Sequence, residues 1–158
     1  MNTATNKKAL ILRFDRESLE GFVNSQELAT IEGVQMLTPQ GQLKIVPFAD
    51  VKLICFVKDF GDSPDVFGKR QFTARPKMAG LWVRFRFRDG AELEGLLSSN
   101  LLQMEQFGFT VAPPDSTLQR IFIPKAALTD VEVLGVIGSA LKKLKPKAVP
   151  QEQMQMFE

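Results

Sequence analysis

Between Val83 and Arg88 the chain reads VRFRFR, so that Val83, Phe85 and Phe87 alternate with Arg84, Arg86 and Arg88. A period of two is what a strand with one buried face requires, because successive side chains point to opposite sides. Asp89-Gly90 follows, a hairpin turn signal, and AELEGLL then supplies a second strand. Elsewhere the apolar runs are short and unbroken, as in VKLICFV from Val51 and RIFIP from Arg120. Runs of that length read as strands, and Pro47 and Pro124, which cannot donate to a ladder, mark strand ends. FADV and KAALTDV are too short for a lasting helix and predict one helical turn each.

This order of elements occurs twice. ILRFDRESLEGFV and VRFRFRDGAELEGLL each carry Arg-Phe, a polar turn and Leu-Glu-Gly before two apolar residues. GVQMLTP and GFTVAPP are Gly-led apolar stretches ending in proline, KIVP and RIFIP are a second such pair, and DVKLICFV and DVEVLGVI close the two series. Five strands with a turn before the fifth describe a small barrel, which leaves few free edges. The expected fold is all-β: two tandem five-stranded Sm/SH3-like barrels packed together, with a disordered C-terminal tail. The expected boundaries are 1–58 for the first barrel, 59–79 for a linker, 80–138 for the second barrel and 139–158 for a helical turn and flexible tail. A unit of about 55 residues is marginal alone, so an interface between the two is expected, through Trp82 or the linker phenylalanines Phe60, Phe67 and Phe72.

Register decides what the arginines face. A two-residue turn at Asp89-Gly90 would set Phe87 opposite Glu92 and mix charge with core on both faces, which a half-buried strand does not tolerate. A three-residue loop, Arg88-Asp89-Gly90, with Gly90 in the left-handed region, instead sets Phe85 opposite Leu93, Arg86 opposite Glu92 and Arg84 opposite Glu94. Arg84 and Arg86 are then predicted to have cross-strand carboxylates, with Arg88 unpaired at the tip. The alternative is that Trp82, Arg84, Arg86 and Arg88 form an aromatic and cationic stripe for RNA or single-stranded DNA, although Glu92 and Glu94 would repel phosphate there.

Composition narrows the chemistry. The chain has 158 residues, a net charge of +2 and no histidine, which removes the commonest general base and zinc ligand. Cys55 is the single cysteine; it sits in an apolar strand and reads as buried. Asp59, Asp62 and Asp65 recur without the terminal Glu of a calcium loop. No catalytic constellation, cofactor motif or metal site stands out, and no apolar stretch approaches the ~20 residues of a membrane span. A cytoplasmic protein without a membrane segment is expected, its oligomeric state open.

VRFRFRDGAELEGLL resembles the first half of the Sm motif of Sm-like RNA-binding proteins, and RIFIPKAALTDVEVL the second half more loosely. The resemblance implies a strongly bent five-stranded barrel. It carries over no RNA-contact residue, because Leu101, Glu105 and Arg120-Ile121 stand where Sm proteins tend to have Asp, Asn and Arg-Gly. GLWVRFRFRDG with LEGLL also resembles a family of uncharacterised bacterial proteins. Arg70 and Arg75 are similar to the arginine pair by which PilZ barrels hold a cyclic dinucleotide, but lie one residue too far apart, and Gly95 falls one residue late. QMQMF, from Gln153, is similar to the peptide that docks bacterial repair proteins on the DNA sliding clamp, with Met156 and Phe157 as the apolar anchors.

These readings favour a non-enzymatic binding or adaptor module with a protein partner. Nucleic-acid binding through Trp82, Arg84, Arg86 and Arg88 is the alternative, and phosphate contact through Arg70 and Arg75 and clamp docking through Gln153, Met156 and Phe157 are further candidates.

Overall fold

The computed structural model describes residues 6–24, 27–61, 65–100, 102, 105–114 and 119–138. Those residues form an all-β structure of eleven strands: β1 Asn6–Arg13, β2 Leu19–Asn24, β3 Ala29–Thr30, β4 Gly33–Leu37, β5 Leu43–Val46, β6 Val51–Phe56, β7 Gly80–Phe87, β8 Glu92–Leu97, β9 Gly108–Val111, β10 Ile121–Pro124 and β11 Leu128–Ile137. The predicted turn before the last strand is a 3-10 turn, Lys125–Ala127. Its counterpart before β6 is closed by Asp50 N–H donating to the Pro47 carbonyl and Val51 N–H to that of Phe48. Both prolines end strands, as their missing N–H requires.

All strand pairs are antiparallel. One sheet runs β3-β4-β2-β1-β6-β10-β9, with β5 on the other side of β4, and a second runs β11-β7-β8. An isolated bridge, Leu96 to Ala112, links β8 to the end of β9. In the first half the order is β6-β1-β2-β4-β5, and in the second, through that bridge, β11-β7-β8-β9-β10. Each half thus places its fifth strand beside its first and its fourth at the far end.

The halves join by strand pairing: β10 lies against β6, with Ile121 opposite Cys55 and Phe122 opposite Ile54. This pair is buried on both faces. Leu53, Cys55, Ile121 and Ile123 point into a core with Val83, Phe85, Phe87 and Leu93. Ile54 and Phe122 point the other way, into a core with Ile11, Val23, Val34 and Met36. A strand buried on both sides has no polar face to alternate with, which explains the unbroken runs LIC and IFI. Phe48 stacking on Phe107, with centroids 5.7 Å apart, adds a second contact between the halves.

The segment between β6 and β7 docks as its phenylalanines predict. Phe60 packs edge-on to Phe22, Phe67 to Phe87 and Phe72 to Trp82, with centroids 5.2, 5.5 and 6.2 Å apart. Trp82 therefore contacts the connecting segment, and the joint between the halves is made chiefly by β6 and β10. Among the described residues no helix is long and apolar enough to cross a membrane.

Cys55 lies within the shared wall, 2% exposed, and burial pushes its thiol up to about 12. Because the thiolate is the reactive species, Ellman's reagent at pH 8 should leave the folded protein unmodified and react with it fully once urea unfolds the chain. Rapid labelling without denaturant would mean that the β6–β10 wall opens readily.

Candidate functional site

The β7–β8 hairpin has the expected register. Arg84 lies opposite Glu94, Phe85 opposite Leu93 and Arg86 opposite Glu92. The loop is Arg88-Asp89-Gly90, closed by Phe87 N–H donating to the Ala91 carbonyl at 2.8 Å, with Gly90 at φ +92°. On the other side of β7, β11 sets Glu132 opposite Arg84 and Asp130 opposite Arg86. The outer face therefore carries two rows of acid, base, acid: Glu132-Arg84-Glu94 and Asp130-Arg86-Glu92. Arg84 lies 3.7 Å from Glu94 and 3.6 Å from Glu132, and Arg86 lies 3.6 Å from Glu92. The pairs with Glu132 and Glu92, both partly exposed, contribute only about 0.2–1 kcal/mol each. The acids nevertheless neutralise the ladder, and a phosphate chain laid along it would meet the carboxylates of Glu92, Asp130 and Glu132.

The other two members of the expected stripe are also engaged. The Trp82 indole N–H donates to Glu94 Oε1 at 2.9 Å. Among the described residues Arg88 has no carboxylate partner, as the register predicts, but its guanidinium lies 4.0 Å from the Phe14 ring centroid and donates to the Ala49 carbonyl. Both contacts reach into the first half. Arg88 thus fastens the hairpin tip across the molecule.

Glu94 is the feature the sequence pattern hides. Alternation puts it on the arginine face, where solvent is expected, yet it is 5% exposed, and among the described residues it is the one buried charged side chain. The connecting segment covers it. Phe72 N–H donates to Oε1 at 3.2 Å, and the Glu94 N–H donates to the Arg70 carbonyl at 2.8 Å. Two residues on, Leu96 N–H donates to the Ala112 carbonyl at 3.0 Å. Residues 70–72 and Ala112 thus share one edge of β8.

The gap between them is a groove of about 480 Å³, lined on one side by Lys69, Phe72, Arg75, Lys77 and Met78 and on the other by Pro113, Pro114 and Arg120. A second hollow of about 320 Å³, lined by Lys7, Leu28, Phe56 and Thr110, shares Gln119 and Arg120 with it. Among the described residues the two linings contain five cations and no carboxylate. Each hollow has an acid behind one lining residue: Glu94 accepts from the Phe72 N–H, and Glu105 accepts from the Thr110 hydroxyl at 2.6 Å.

Arg70 and Arg75 do not converge. Arg70 Nε donates to the Phe67 carbonyl at 2.8 Å and packs over that ring, whereas Arg75 enters the groove and donates to the Val136 carbonyl at 3.3 Å. Gln153, Met156 and Phe157 lie outside the described residues. Among the described residues no group of three or more His, Cys, Asp or Glu side chains could hold a metal ion.

Residues 5–135, which span both halves, match the model of DUF6982, a family of unknown function. The chain belongs to that family. No curated protein and no solved structure matches the chain. The stretch that matches DUF6982 takes in the hairpin, the connecting segment and the groove, and ends within β11.

A last cluster lies where the halves face each other. Lys52 on β6 bonds Asp89 at 2.6 Å, and its ammonium sits 4.4 Å from the Phe67 ring centroid and 5.5 Å from that of Phe87. Burial alone would raise the Asp89 carboxyl, but the hydrogen bond from Lys52, the Ala91 N–H and the Lys52 charge together hold it below its ordinary value of 3.8. A carboxyl lowered by folding adds stability above its unfolded value and loses it as pH falls through the folded one. The stability advantage of the natural chain over Asp89→Asn should therefore be constant near neutrality and shrink below about pH 4, as urea titrations at several pH values would show.

Replacing Glu94 by alanine leaves the Trp82 and Phe72 donors without their acceptor. We expect a loss of about 1–3 kcal/mol and faster tryptic cleavage after Lys69, Arg70 and Lys77, Arg75 being protected by the proline that follows it. Glu94→Gln, which keeps the accepting oxygen, should retain most of the protection, and equal protection in all three proteins would remove Glu94 from this role.

Proposed function

We propose that the protein is a non-catalytic binding module, built from two units of the small SH3-like or Sm-like kind, that takes an extended segment of a partner protein along β11. The strand order shared by the halves supports the two-unit reading. The observation that carries the binding reading is the free flank of β11, which pairs with β7 on one side and with no other described strand.

On that strand Val131, Val133 and Val136 lie opposite Phe85, Val83 and Leu81. They continue the inward apolar face of the second half, yet are 38, 56 and 63% exposed. Asp130 and Glu132 continue the outward, charged face. A strand added here would place apolar residues beside the valines and basic ones beside the two acids, while its backbone completes the ladder. Bulges at Leu128/Asp130 and Val133/Gly135, together with the acidic pair, discourage pairing with an arbitrary edge. The matching ligand is therefore an extended segment in which apolar and basic residues alternate.

Peptides of about 12 residues that alternate apolar with lysine or arginine should bind the full chain, and apolar–acidic counterparts should bind at least about tenfold more weakly. Asp130→Asn combined with Glu132→Gln should abolish the preference, and Val133→Glu should weaken binding of both series through the lost apolar contact without lowering the unfolding temperature, because this side chain is mostly in solvent. Equal affinity for both series, measured by titration calorimetry, would defeat the reading.

A further inference from the structure

Two groups of cations differ in what holds them. Lys8, Lys52, Arg84 and Arg86 each have a carboxylate within 4 Å. Lys7, Lys69, Arg75, Lys77 and Arg120, which line the two adjoining hollows, have none among the described residues. They come from three separate stretches of chain: β1, the connecting segment and the approach to β10. The fold gathers them around Arg120, which borders both hollows.

We infer that this double groove is a binding site for single-stranded nucleic acid, separate from the β11 flank except where Arg75 donates to the Val136 carbonyl. Three features fix the ligand class. The described lining residues include five cations and no carboxylate, and that excess of positive charge favours a polyanion. The charges are spread along two connected hollows, so that an extended chain of phosphates engages more of them than one compact anion does. Phe72, Met78, Pro113 and Pro114 give the larger hollow an apolar wall against which base faces can lie, a surface that inorganic phosphate would not use. The neutralised arginine ladder lacks the first of these features. A duplex would not bring its stacked bases to such a wall.

The test is fluorescence anisotropy with labelled oligo-dT and oligo-rU of about 15 nucleotides and the full-length chain, at about 50 and 150 mM KCl. We expect micromolar binding at the lower salt, with log Kd rising with log salt at a slope of about 0.7 for each phosphate engaged. Arg75→Glu combined with Arg120→Glu should weaken binding at least about tenfold and lower that slope by about 1.4. Arg84→Gln combined with Arg86→Gln should change affinity less than about twofold, because those side chains are already neutralised. Inorganic polyphosphate should displace the oligonucleotide less effectively than unlabelled oligo-dT. Thermal unfolding of each variant confirms that it folds; should the Arg75/Arg120 variant not fold, Lys69→Gln combined with Lys77→Gln, both exposed, takes its place with a decrease in slope of the same size. Absence of binding at the lower salt, unchanged affinity in the groove variants, loss of binding in the ladder variant, or equal competition by polyphosphate would each overturn the assignment. DNA and RNA binding alike supports stacking and charge as the basis; RNA binding alone supports the same site with an added 2′-hydroxyl contact.

Discussion

The pairing of β6 with β10 is the constraint on which the rest of the structure depends. Leu53, Ile54 and Cys55 on one strand and Ile121, Phe122 and Ile123 on the other are all buried, and they divide between two cores. Full burial of each large apolar side chain contributes about 1.5–3 kcal/mol, against less than about 1 kcal/mol for each half-exposed ion pair of the ladder. The shared wall therefore decides the arrangement of the halves, and the charged contacts adjust it. Once β10 is fixed, the chain on either side of it is fixed as well: Arg120 at the mouth of the groove and the 3-10 turn that launches β11 along β7.

Parity made the β7–β8 hairpin legible in the sequence. Val83, Phe85 and Phe87 must all face inward, and a single loop length brings Leu93 to the same side without burying Glu92. The carboxylate partners of Arg84 and Arg86 follow from that choice. The wall was not legible for the same reason. A strand buried on both faces offers no alternation, so the run LIC does not reveal which strand lies beside it, and its partner IFI is distant in the chain. Two strands of the same half would have satisfied the pattern equally well.

Glu94 and the groove escaped the sequence for a related reason. The alternation that assigns Glu94 to the outer face is correct, but it says nothing about a connecting segment that folds back over that face. Phe67 and Phe72 signalled that the segment docks; they did not say where. The groove is the space left when that segment and the residues after β9 share one edge of β8, so its cations come from places with no common motif. Arg75 drew attention only through its spacing from Arg70, which is turned toward Phe67 instead.

The hydrogen bond from Trp82 to Glu94 has a practical consequence. The chain has one tryptophan and no tyrosine, and that indole is half-buried, bonded to an enclosed carboxylate and edge-on to Phe72. Its emission colour consequently reports local polarity at the place where the connecting segment seats, with no other indole or phenol to obscure it. The molecule carries an intrinsic optical gauge of that one joint.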